Sequence, residues 1–154
     1  MSRIVVGVDP SDNARRALRW AVDESRLRGS HLQVVHAVAR PDVLALPAVP
    51  DLPSHEELVA AGERFVEDLI ASTDARGLTV SWDVQVRGVS ELLCANAQGA
   101  DLLVVGTRGM GGFRGLLLGS VTQQVVAHSP CPVVAVSDAT DRPPADVGSD
   151  APTA

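Results

Sequence analysis

The chain has 154 residues, 45% of them apolar, with a formal net charge of −6. That length suits one domain with a sizeable core, and the absence of any run of about 18 apolar residues argues against a membrane-spanning helix. The acidic balance, the 3% aromatic content and the lack of tyrosine argue against a nucleic-acid partner.

In chain order, residues 3–8 predict an apolar strand ending in Asp9-Pro10-Ser11-Asp12. The strand follows Arg3 at once, so no signal peptide is visible and the cytosol is the expected compartment. Ala14, Ala17, Leu18, Ala21 and Val22 recur at helical spacing before Gly29. Arg15, Arg16, Arg19, Arg26 and Arg28 fall on that helix among acids and read as its solvated face. Residues 31–38 predict a second strand. Residues 40–53 hold four prolines and no periodicity, a loop long enough to suspect function as a lid.

Ser54 and Glu57 have capping-box spacing, opening a helix with Leu58, Ala61, Phe65 and Leu69 on one face and Gly77 at its close. Residues 79–86 alternate like a less buried strand. Ser90 is expected to start a shorter helix over 91–98, ended by Gly99. The apolar run 102–105 then reads as a buried central strand. A helix opened by Ser120 and closed by His128 and Pro130 leads to a last strand, 133–136. From Asp138 the sequence is acidic and proline-rich, so 138–154 is expected to be a disordered tail behind a domain of residues 1–137.

Strands separated by helices of this length predict a parallel sheet with helices on both faces. The apolar first and fourth strands belong in its middle. Ligands of such sheets bind beyond the strands' carboxyl ends, where the winding reverses, and Asp9 and Gly106 stand at those ends. Five glycines fall within residues 106–115, suited to backbone that approaches something closely. Strand, glycine loop and helix N-terminus together point N–H groups at an anion, usually phosphate. Lysine is absent, which removes the P-loop, Schiff-base and kinase-strand lysines together. Phosphate here must be held by backbone N–H groups and arginine.

Each candidate also has a plainer reading. Gly106, Gly109 and Gly119 serve turns as readily as ligands. Ser120 and Gln123 have capping-box spacing, which leaves the N–H groups of Val121 and Thr122 for an anion. Asp9 reads either as the cap of a helix beginning near Pro10 or as an acceptor for ribose hydroxyls. Arg108 and Arg114 are solvated loop charges or triphosphate contacts. His36 reads as a satisfied strand histidine, and His31 and His128 as surface or helix-end residues. Asp101 reads as a structural residue at the sheet's far end. Cys94 and Cys131 have no metal-type spacing and read as buried, reduced thiols.

The spacing Gly106-x2-Gly109-x9-Gly119-Ser120 resembles the nucleotide-binding signature of the universal stress protein family. Ile4-Val5-Val6-Gly7-Val8-Asp9 and Pro130-Cys131-Pro132-Val133-Val134-Ala135-Val136 also resemble that family, so the likeness covers residues 1–137. It implies an open five-stranded parallel sheet in the order 3-2-1-4-5, Rossmann-like and similar to the adenine nucleotide alpha hydrolases. It implies a regulatory, stress-response module that binds ATP, and leaves open whether magnesium accompanies the nucleotide. It places Asp9 on ribose and the backbone of Ala37 on adenine. Taken with the glycine-loop, arginine and helix-start readings above, the candidate binding positions are Gly7, Asp9, Ala37, Gly106, Arg108, Gly109, Gly112, Gly119, Ser120, Val121 and Thr122.

The resemblance further implies a homodimer through the last strand. Physically, an outer strand needs its edge covered, and pairing with a two-fold mate closes both copies. An enzyme on the same fold, a slow ATPase or a nucleotidyl- or phosphoryl-transferring protein, is the alternative. Asp9 is the one candidate to orient water, and no Walker signature, histidine-rich site or paired-carboxylate motif appears. Hydrolysis is therefore expected to be very slow or absent. A third reading is a structural dimer whose glycines only shape turns.

Overall fold

The computed structural model describes residues 2–39, 52–110 and 117–138. In chain order the elements are β1 (Arg3–Gly7), α1 (Asp12–Arg28), β2 (His31–Ala37), α2 (His55–Ala71) and β3 (Val80–Gln85). They continue with α3 (Val89–Asn96), β4 (Leu102–Gly106), α4 (Ser120–His128) and β5 (Val133–Val136). The five strands form one sheet in the order β3-β2-β1-β4-β5, and every pairing is parallel. This is the order that the family resemblance implies.

The central pair explains itself from sequence. Ile4, Val5 and Val6 lie opposite Leu102, Leu103 and Val104. All six are 6% exposed or less, because a parallel strand with helices on both faces must be apolar on both. Alternate residues serve opposite layers. Ile4, Val6, Leu102 and Val104 pack with α1 and α2, while Val5, Leu103 and Val105 pack with Leu92, Leu93 and Val125 of α3 and α4.

Helix starts and stops follow their chemistry, with some shifts from expectation. The Ser54–Glu57 capping box is present in both directions, at 2.7 and 3.2 Å. Gly29 ends α1 at φ 62°, the left-handed region that favours glycine. Gly77 does not end α2. That helix stops at Ala71, where the hydroxyls of Ser72 and Thr73 donate to the carbonyls of Leu69 and Ile70 and compete with further helix. Gly77 lies in the turn before β3 at φ 80°. Likewise α3 begins one residue before Ser90, with Gly88 as its N-cap, and Ser90 instead donates to Gln124 of α4 at 2.6 Å.

The packed face of α2 is also rotated from expectation. Ala61 is exposed, whereas Gly62, Val66 and Leu69 are buried. A Cβ on Gly62 would stand 2.6 Å from Val84 and 2.8 Å from Val38, so glycine there lets α2 settle onto β2 and β3. The basic face of α1 is solvated as expected, with Arg28 paired to Glu24 at 2.5 Å. Arg16 reaches past β5 to Asp138 at 2.8 Å.

Both cysteines are free and half-buried rather than buried. Burial pushes the Cys94 thiol up, with Cys131 adding to the effect, so Cys94 stays protonated at neutral pH. Among the described residues no helix is long and apolar enough to cross a membrane.

Candidate functional site

A cleft of about 380 Å³ opens beyond the carboxyl ends of β1 and β4, the position where the winding of this sheet reverses. It is lined from three sides. Val35 and Ala37 of β2, Val89 and Leu93 of α3, and Val105 give it an apolar wall. Gly106, Arg108, Gly109 and Met110 form one rim, and Gly119 through Thr122 form another. Asp9 also lines it, beside Gly109 and Met110.

Ten of the eleven positions singled out from sequence line this cleft: Gly7, Asp9, Ala37, Gly106, Arg108, Gly109, Gly119, Ser120, Val121 and Thr122. The eleventh, Gly112, lies outside the described residues, as do Arg114, residues 40–51 of the suspected lid and the tail from 139 onward.

The glycines do different work from one another. A Cβ at Gly106 would stand 2.9 Å from Asn13 Cβ and 3.0 Å from the Asn13 backbone carbon, so this glycine admits the start of α1. At Gly109 a Cβ would stand 2.7 Å from the Asp9 carboxylate, and at Gly119 it would meet nothing nearer than 3.5 Å. None of these three is left-handed; among the described glycines positive φ occurs at Gly29, Gly77 and Gly99. Close approach, not backbone conformation, is the reason for glycine at 106 and 109.

Two expected caps are corrected. Ser120 is not the N-cap of α4, and its spacing to Gln123 makes no capping box. Gly119 is the N-cap, in extended backbone and without a side-chain cap bond. Gln123 donates its N–H to the carbonyl of Gly119 and its side-chain amide to that of Leu118, each at 3.0 Å. Asp9 does not cap α1 either. Ser11 does, accepting the Ala14 N–H at 3.2 Å, while Asp9 Oδ1 in turn accepts the N–H and the hydroxyl of Ser11.

The cleft's floor is tied together. Gly119 N–H donates to Thr107 carbonyl at 2.7 Å and Thr107 N–H to Val136 carbonyl at 2.9 Å. Thr122 Oγ1 donates to Gly106 carbonyl at 2.8 Å. The Gly119 amide is thus spent internally. The N–H groups of Ser120, Val121 and Thr122 lie in the first turn of α4, beyond the reach of any intrahelical carbonyl. Among the described residues no other acceptor takes them. They give the cleft donors and the positive end of a helix dipole.

Sequence reasoning missed the apolar wall. Val35, Val89, Leu93 and Val105 line the cleft yet carry no signal that separates them from core residues. Met110, 70% exposed, escaped for another reason: it acts through its backbone, donating to Asp9 Oδ2 at 3.3 Å. His36 is the satisfied strand histidine expected. Its Nδ1 lies 2.9 Å from the Val8 carbonyl, and its ring packs against Phe65. No group of three or more His, Cys, Asp or Glu side chains suited to a metal occurs among the described residues.

The sequence model of the universal stress protein family matches residues 1–137. A universal stress protein of Thermus aquaticus is 36% identical over 135 residues, covering 86% of this chain and 96% of its own length. One from Mycolicibacterium smegmatis is 32% identical over 141 residues, covering 86% of this chain but 47% of the longer protein. The chain therefore spans about half the length of the mycobacterial relatives it matches. Among solved structures, the universal stress protein of Archaeoglobus fulgidus in complex with dAMP superimposes with a TM-score of 0.58 at 27% identity. The match covers 88% of this chain and 98% of that one. With sequence model, relatives and sheet topology agreeing through all five strands, the chain belongs to the universal stress protein family.

Proposed function

We propose that this protein binds an adenine nucleotide, ATP, in the cleft between β1 and β4 and works as a regulatory, stress-response module with little or no hydrolysis. One observation carries the reading: first-turn amides of α4, an apolar wall and the Asp9 carboxylate face the same open space. At about 380 Å³ the cleft falls within the usual range of roughly 300–1,000 Å³ for small-molecule sites. The dAMP complex of the related Archaeoglobus protein supports an adenine nucleotide as the ligand class.

The donor set fits the chemistry. In this reading the base lies against Val35, Ala37 and Leu93, the ribose meets Asp9, and the phosphates face the α4 amides and Arg108. A helix dipole adds only about 0.3–1 kcal/mol for an anion, so affinity depends on these contacts acting together. Among the described residues Asp9 is the one carboxylate lining the cleft. Magnesium, if it enters with the triphosphate, would be held mainly by phosphate oxygens and water.

The enzyme alternative gains nothing specific. Asp9, the one candidate to orient water, already accepts from Ser11 and from Met110, and in the nucleotide reading its remaining acceptor position meets the ribose. Turnover faster than about 1 s⁻¹, the low end for ordinary enzymes, would reverse this part of the reading. Titration calorimetry of nucleotide-stripped protein with ATP, with and without magnesium, is the decisive experiment. No saturable binding at millimolar nucleotide would end the proposal.

The same reading includes a cytosolic homodimer paired through Val133–Val136. β5 is an edge of the sheet with one neighbour, β4, and pairing with a two-fold mate would close that edge. Light scattering at micromolar concentration tests it, and a monomer would contradict it.

A further inference from the structure

The two oxygens of the Asp9 carboxylate are unequally occupied. Oδ1 accepts the N–H of Ser11 at 2.9 Å and also the Ser11 hydroxyl. Ser11 is itself the N-cap of α1, so this half of the carboxylate is built into the start of the helix. Oδ2 accepts the Met110 N–H at 3.3 Å. A carboxylate offers about four acceptor positions, two on each oxygen. Among the described residues three are taken, including both on Oδ1.

Resting on the nucleotide reading above, we propose that Asp9 offers a bound nucleotide a single acceptor position, on Oδ2. The site then reads one of the two ribose hydroxyls and admits a deoxynucleotide that lacks the other. Placing both hydroxyls on Asp9 would require either pulling Ser11 off Oδ1, which disturbs the cap of α1, or releasing the Met110 N–H from Oδ2. Gly109 keeps the approach to that oxygen open, since a Cβ there would stand 2.7 Å from it. A monodentate grip also explains how one short side chain serves the helix start, the glycine loop and a ligand together.

Titration calorimetry on the full chain with ATP, 2′-deoxy-ATP and 3′-deoxy-ATP tests this. One deoxynucleotide is expected to bind within about twofold of ATP. The other should bind about tenfold or more weakly, the scale of a hydrogen bond to a charged acceptor. Tenfold losses with both, or with neither, overturn the proposal while leaving nucleotide binding standing. Absence of saturable ATP binding overturns the nucleotide reading, and this proposal with it. In Asp9→Ala the hydroxyl preference should vanish, so that all three nucleotides bind alike. A preference that persists in this variant would give the hydroxyl another reader and overturn the assignment. Should the variant fail to fold, the wild-type series decides alone.

Discussion

The hydroxyl of Thr122 donates to the carbonyl of Gly106 at 2.8 Å, fastening the first turn of α4 to the end of β4. Thr122 is 3% exposed, so its side chain serves the fold while its N–H faces the cleft's end of the helix. Valine would match its shape and leave the carbonyl short of a donor. Thr122→Val is expected to lower the unfolding free energy by about 1–3 kcal/mol, read from urea denaturation. ATP affinity should fall with it, because the turn that presents the amides is no longer fixed. An unchanged urea midpoint would mean that the bond contributes nothing net.

Alanine at the three glycines separates support from binding. Gly106→Ala drives a methyl toward the backbone of Asn13, which cannot swing aside, and should cost about 1–3 kcal/mol. Gly109→Ala meets only the tip of Asp9. Stability should hold within about 1 kcal/mol, while ATP affinity drops at least tenfold because the displaced carboxylate leaves the ribose position. Gly119→Ala has room, with its nearest contact at 3.5 Å, and should lose about 0.5–1 kcal/mol as a poorer N-cap. Thermal melts and calorimetry on the three variants would settle the order; equal losses at all three would refute it.

The sheet was legible because parallel central strands read as unbroken apolar runs. Residues 102–105 and 3–8 carried that signal, and topology then placed Asp9 and Gly106 at one mouth. The cleft's wall was not legible. Val35 and Leu93 face a cleft instead of a neighbour, and nothing in a valine or leucine encodes which. Local capping chemistry was half legible. Ser54 and Glu57 met as their spacing predicts, but Asp9 and Ser11 both suit a cap, and only geometry gives the cap to Ser11 and leaves Asp9 to orient it. Gly62 had a readable signal, a glycine inside a helical pattern; its cause, the approach of Val84 and Val38, is long-range.

Gly7 and Leu93 should be energetically coupled. A Cβ at Gly7 would stand 2.8 Å from a Leu93 δ-methyl, and Leu93 is 3% exposed while lining the cleft. Gly7→Ala therefore overpacks, costing about 1 kcal/mol at the low end of such changes because a δ-methyl can turn. Leu93→Ala, which removes that methyl, should cost about 2–5 kcal/mol. In a double-mutant cycle the Gly7→Ala penalty is expected to shrink by more than half in the Leu93→Ala background. Additive losses would show that Gly7 is constrained by something other than Leu93.

At the opposite end of the sheet, Asp101 joins β1 to β4. Its carboxylate accepts the Arg3 N–H at 2.6 Å, and its own N–H donates to the Arg3 carbonyl at 2.9 Å. The Arg3 backbone bond, aided by Ser2, holds the Asp101 carboxyl below its ordinary value despite a small opposing effect of burial. A carboxyl with a lower pKa folded than unfolded stabilises the fold fully above the unfolded value. That contribution is lost as pH falls through the folded value. Stability should thus decline below about pH 4, and Asp101→Asn, whose amide oxygen can still accept from Arg3 but cannot ionise, should flatten that decline. Glu57, lowered by the backbone and then the hydroxyl of Ser54, contributes in the same direction and remains in the variant. Urea midpoints measured from neutral pH down into the acid range test the assignment. Parallel curves for the two proteins would unlink the Asp101 proton from folding.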